Sequence, residues 1–254
     1  MNSLLHLKQL VHRFHRDERG ASYNLGVLIQ IPFLIVIIAT AVEVNALMLT
    51  KLGVQHASAA VARAATVWLP AEPTNGQPAD YRLEMIRLAA VQNLTPFASG
   101  RQEHQRGLPS DSLGVSFADA QAVAIQQLSE RKIDPQYIVR KHLYARAAVK
   151  IEIEVGAEAD PVTGSKELVS ADGLVQVRFV GAKRAENQLT APELKVRLTF
   201  QKPIDLPVVG RFLGRAAPWS GSPFFTREVS HDATATLEHV RSRSKSLGIT
   251  YQTY

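Results

Sequence analysis

Residues able to do chemistry are few and scattered in this 254-residue chain. His231 and His239 fall on one side of an alternating run. At about 3.3 Å per residue they stand roughly 26 Å apart, beyond the reach of a shared metal ion. Asp160 and Asp172 lie in a polar stretch without the spacing of a calcium-binding loop. The absence of cysteine excludes disulfides, zinc thiolates and thiol catalysis. No GxSxG, Walker, GxGxxG or HExxH pattern occurs. The sequence therefore predicts no enzyme, no cofactor, no metal and no small-molecule substrate. Asn93-Leu94-Thr95 matches a glycosylation acceptor, which matters only in a eukaryotic secretory pathway. Glu43 is the titratable group whose position suggests a role, because it closes a long charge-free run. The plainer alternative is that its carboxylate reaches lipid headgroups and water.

The element that positions Glu43 is that run, residues 21–42, ASYNLGVLIQIPFLIVIIATAV. As a helix it extends roughly 33 Å, enough to cross a hydrocarbon core of about 30 Å. Pro32 removes one backbone donor inside it and predicts a kink. Glu43 stands about 27 Å along the axis from Leu25, which places it near the far interface. Lys8, Arg13, Arg16 and Arg19 precede the run, and only Lys51 and Arg63 follow at similar distance. This asymmetry predicts a cytoplasmic N-terminus and a body on the other side of the cell (inner) membrane. A cleavable secretory signal is the alternative, because Ala39-Thr40-Ala41 has the small-x-small form that signal peptidase accepts. Apolar residues continue past that point at Val42, Val44, Leu47 and Leu49, which favours a retained anchor.

Beyond the run, Gly53, Ala57, Ala60 and Ala64 share one helix face. Small residues at this spacing let another helix approach closely, either a partner's or the chain's own. Pro70, Pro73, Gly76 and Pro78 then break the helix. Leu83, Ile86, Ala90 and Leu94 mark a second helix, and Phe117, Val123 or Ala124, and Leu128 a third that runs to about Arg131 and that Asp134-Pro135 is expected to end. From Val149 the period changes to two. Val149–Val155, Val175–Phe179, residues 194–200 and residues 225–237 alternate apolar with polar. The expected fold is α+β: a long transmembrane helix and two further helices on an antiparallel sheet of about four strands. The link at residues 156–173 is polar and expected to be mobile. The apolar connector PIDLPVVGRFLG, residues 203–214, either lies on the membrane surface, meets a partner, or closes the sheet's core.

The resulting organisation is a basic leader (1–20), a transmembrane helix (21–49), its extramembrane extension (50–69), an extracytoplasmic α+β domain (70–240) and a disordered basic tail (241–254). A formal net charge of +6 raises nucleic acid as a partner. The basic residues are dispersed and lack interleaved aromatics, which excludes that footprint.

Arg19-Gly20-Ala21, the apolar helix with Pro32, Glu43, and Gln55 followed by Ala60-Val61-Ala62-Arg63 together resemble the N-terminal module of TadE-like proteins. These are pseudopilin-like components of the tight-adherence (Tad, Flp) pilus apparatus. VKIEIEV, then VRLTFQKPIDLPVVGRFLG, then HDATATLEH resemble the closing pattern of the same family. Residues 70–146 match nothing in it. The resemblance implies a membrane-held, non-enzymatic assembly component whose partners are the membrane and other pseudopilin-like proteins. It also implies processing between Gly20 and Ala21. The acidic residue that family members carry shortly after that bond is absent here, where Asn24 and Leu25 stand. That departure argues against incorporation into a filament and, less strongly, against processing. The alternative function is an anchored or secreted envelope binding domain unrelated to pili.

Overall fold

A computed structural model describes residues 2–71, 81–105, 108, 112–128, 134–181, 193–217 and 224–236. Of residues 2–26, 112–114, 124, 126–128, 207 and 208 it describes the backbone alone. The disordered tail predicted for 241–254 and the linker at 72–80 lie outside the described residues.

Helix α1 runs without interruption from Asn2 to Trp68, through Gly20-Ala21 and across Pro32. Within it, Val27–Trp68 is long and apolar enough to cross a membrane, the one such helix among the described residues. Its two halves differ. Large apolar side chains from Val27 to Ile38 and at Val42 are exposed. Glu43 is the first buried residue on α1 among the described side chains, which begin at Val27. From there one face turns inward through Thr50, Val54, Ala57, Val61, Ala65 and Leu69. The spacing of three and four residues is that of a helix laid on a core.

That core is a six-stranded mixed sheet with helices on it. The strands are β1 (Val149–Val155), β2 (Glu167–Val169), β3 (Val175–Phe179), β4 (Glu193–Ile204), β5 (Arg215–Ala216) and β6 (Phe225–Thr236), in the order β2-β3-β1-β4-β6-β5. Alternation gives β1, β3 and β4 one buried apolar face. Ile151, Ile153, Val177, Leu194, Leu198 and Phe200 are all buried beneath α1 and α2 (Tyr81–Leu94). Helix α2 contributes Leu83, Ile86, Ala90 and Leu94 to the same core. A smaller cluster joins α3 (Ser112–Leu128) to α4 (Pro135–Ala148) through Ala118, Ala122, Ile138 and Val139.

Three features depart from the sequence expectation. The sheet has six strands rather than four, because β2 and β5 are three and two residues long, too short to show a period. It is mixed rather than antiparallel: β1 and β3 run parallel, while β2 pairs antiparallel with β3. Strand β2 reverses the chain at the sheet edge, so β3 returns into the slot beside β1 without a helical crossover. Finally, Asp134-Pro135 starts a helix instead of ending one. The Asp134 carboxylate accepts the Gln136 backbone N–H at 3.0 Å, and Pro135 occupies the first turn, where no backbone donor is needed. Residues 203–214 form the end of β4 and the short helix α5 (Pro207–Leu213).

Candidate functional site

The apolar helix meets the body at a defined junction. The Glu43 carboxylate, 4% exposed, accepts the backbone N–H of Asp205 at 3.0 Å. Asp205 links β4 to α5, so the predicted membrane-proximal carboxylate holds the predicted apolar connector. The connector itself is divided. Ile204 and Val209 are buried, while Phe212 is 81% exposed. Tight packing fixes its course: a Cβ on Gly210 would come within 2.7 Å of the Phe225 ring, and one on Gly214 within 2.7 Å of Ile204.

One turn beyond Glu43 a cleft of about 490 Å³ opens between α1, α4 and the end of β4. Ala46, Leu49 and Thr50 form its α1 wall. Arg101, Lys141 and Lys202 line it together with a single carboxylate, Asp205. Arg101 approaches that carboxylate at 3.4 Å. Lys141 donates to the Pro96 carbonyl at 2.8 Å, and Lys202 to the Pro203 carbonyl at 2.7 Å. Burial first, and then the Lys202 ammonium, lower the pKa of Lys141.

Farther along α1 the small-residue face packs on the chain's own α2 and sheet. Gly53 and Ala57 are buried, and Ala60 and Ala64 are half-buried at the edge of this face. A Cβ on Gly53 would stand 2.1 Å from the Phe97 ring, so this position requires glycine for close approach. Ser58 adds a polar tie, its hydroxyl lying 2.9 Å from His231 Nδ1.

Buried ion pairs fasten the helices to the loops between strands. Arg82 makes a two-pronged contact with Asp160, at 3.0 and 2.8 Å, and also donates to the Leu69 carbonyl at the end of α1. Asp160 further accepts from the Thr163 backbone N–H and hydroxyl. Arg87 donates to Asp172 at 2.5 Å and to the Arg146 carbonyl at 2.6 Å. Arg146 in turn pairs with Glu84 at 2.7 Å. The two aspartates of the polar link are thus ion-pair acceptors, and their loop is anchored at both points.

Histidines serve packing in the same way. His104 stacks on Phe224 at 4.3 Å and meets the Ser99 hydroxyl at 2.7 Å. His142 is fully buried and bonded to Gln121. Burial, then the charges of Arg146 and Arg87, push its pKa down to about 4. Among the described residues no group of three or more His, Asp or Glu is placed to hold a metal ion. His239 lies outside the described residues. Thr95 of the Asn93-Leu94-Thr95 acceptor is buried and donates to the Val91 carbonyl. For Gly20 and Ala21 the structure gives helical backbone only, and for Pro32 a position in the exposed half of α1.

Arg82, Arg87, Arg101, Lys141 and Lys202 are not evident from the sequence alone. The partners Asp160, Asp172, Asp205 and Pro96 of the first four are remote in the chain, and Lys202 bonds the adjacent Pro203 carbonyl, so no local pattern marks them. Comparison with protein-family models, curated proteins and solved structures finds no match.

Proposed function

We propose that the chain is a single-pass, non-enzymatic membrane component of a Tad-type pilus apparatus, related to TadE-like proteins. One observation carries the membrane part. The exposed apolar face of α1 gives way to a buried one at Glu43, where the charge-free run ends. Sixteen residues or so of lipid-facing helix before that point, extended by residues 21–26, match the thickness a bilayer demands. In this reading the N-terminus is cytoplasmic, the body is extracytoplasmic, and the leader is retained. The pilus part rests on the sequence resemblance in residues 16–69 and 149–239. Partners are then other pseudopilin-like proteins, with no nucleic acid and no small-molecule substrate.

Deletion of the gene, with complementation in trans, tests the assignment. Loss of surface pili that wild-type protein restores supports it. A neighbourhood encoding a secretion ATPase and Tad platform proteins would agree. Normal pilus output on deletion overturns it and leaves an anchored envelope binding domain as the reading.

A further inference from the structure

We propose that the cleft beside α1 binds the phosphate of an anionic phospholipid headgroup. The inference rests on the anchoring reading of α1, because that reading puts the cleft at the membrane surface. Ala46, Leu49 and Thr50 lie one to two turns past the end of the charge-free run. That is roughly 6–12 Å along the axis, the depth of the headgroup layer rather than of the hydrocarbon core.

The chemistry of the lining fits such an anion. Three cations face one carboxylate, and Arg101 already neutralises that carboxylate. The ammoniums of Lys141 and Lys202 each donate to a backbone carbonyl, and Lys141 also stands 5.6 Å from the centre of the Tyr137 ring. Each ammonium has three donors, and among the described residues one is used in each case. Two like charges kept in one cleft gain when an anion enters between them. A phosphate satisfies several donors at once through charge-assisted hydrogen bonds. The Glu43 carboxylate, one turn away, accepts the Asp205 N–H through Oε1.

The surroundings favour a lipid over free phosphate. From the α1 wall of the cleft, exposed Met48, Val44 and Val42 lead back along the helix to the charge-free run, a path by which acyl chains reach the hydrocarbon core. Phe212, exposed on the connector that follows Asp205, offers an apolar side chain to the membrane interface.

The test uses the full chain in nanodiscs of phosphatidylcholine containing a minority of phosphatidylglycerol, with native mass spectrometry counting the lipids that stay bound. Wild-type protein should retain phosphatidylglycerol in preference to phosphatidylcholine. Lys141→Gln combined with Lys202→Gln should weaken that preference about tenfold. Lys141→Gln alone, at a half-buried position, should weaken it with the fold intact, and Lys195→Gln on the exposed face of β4 should leave it unchanged. Equal retention of both lipids by wild type, or undiminished preference in Lys141→Gln and in the Lys141→Gln, Lys202→Gln double variant, overturns the proposal. So does inorganic phosphate that binds detergent-solubilised protein and displaces the lipid, which would make this a free-phosphate site. Failure of wild type to insert into the discs defeats the anchoring reading and, with it, the lipid site.

Discussion

Glu43 Oε1 and the backbone N–H of Asp205 meet at 3.0 Å, although 162 residues of chain separate them. One carboxylate thus ties the end of the charge-free helix to the loop between β4 and α5. Hydrogen bonds to charged groups contribute about 1.5–3 kcal/mol. Glu43→Ala should therefore speed amide exchange at Asp205 by tenfold or more, while Glu43→Gln, which keeps an acceptor, should change it less. Wild-type exchange in Glu43→Ala would show that the contact does not hold the junction.

The second prediction concerns close approach on α1. Replacing glycine by alanine inside a helix normally gains up to about 1 kcal/mol from propensity. At Gly53 the new methyl would stand 2.1 Å from Phe97, and overpacking typically costs about 1–3 kcal/mol. Overpacking should win, so Gly53→Ala should lower the midpoint of thermal unfolding in detergent. Ala57→Leu should do the same, Ala60→Leu less, and exposed His56→Leu hardly at all. Wild-type stability in Gly53→Ala and Ala57→Leu would remove the packing argument.

Arg82 and Asp160 offer a third test. Removing one member of a buried pair leaves an uncompensated charge at a cost of about 3–5 kcal/mol. Arg82→Ala should also free the Leu69 carbonyl at the end of α1. Arg82→Met combined with Asp160→Leu should be more stable than either single variant, since neither charge then remains buried. A double variant worse than both singles would show that the pair does more than balance charge.

Strands β1, β3, β4 and β6 were legible because each alternates over five residues or more, β6 less cleanly than the others. Helices α2 and α3 were legible for the same reason at a period of three to four. What escaped depended on distance or brevity. Asp134-Pro135 has the chemistry of a start and of a stop, and only the helical residues after it decide. Arg82 and Asp160 are 78 residues apart, and Arg87 and Asp172 85, so nothing local announces either pair. The cleft likewise draws Arg101, Lys141 and Lys202 from three separate segments. Glu43 was singled out by its place after an uncharged run, but its partner could not be read from the chain. The small-residue face was identified from glycine and alanine alone, whereas Val54, Val61 and Ala65 complete its buried side.

The fourth prediction is acid sensitivity. Burial, Arg146 and Arg87 lower the pKa of His142 to about 4, below the 6.5 of an exposed histidine. The unfolded chain therefore binds this proton more tightly than the folded one. Stability should be full above about pH 6.5 and fall as the pH drops toward 4, by on the order of 3 kcal/mol from this group. His104, lowered chiefly by burial, adds in the same direction. Asp160 acts in a lower window. Burial raises its pKa, but the hydrogen bonds from Arg82 and Thr163 outweigh this, so the stability it contributes is lost only below the usual aspartate range. Denaturant midpoints across pH 4 to 7 should show a flatter acid slope in His142→Gln. An identical slope in that variant would assign the sensitivity elsewhere.

Orientation of the body across the membrane tests the account most directly, and a chain without cysteine is well suited to it. Single cysteines placed by Ser3→Cys and Lys195→Cys can be probed in intact spheroplasts with a membrane-impermeant maleimide. With the N-terminus cytoplasmic and the body outside, Lys195→Cys should be labelled before lysis and Ser3→Cys only after it. Protection of Lys195→Cys until lysis, or labelling of Ser3→Cys from outside, would contradict it.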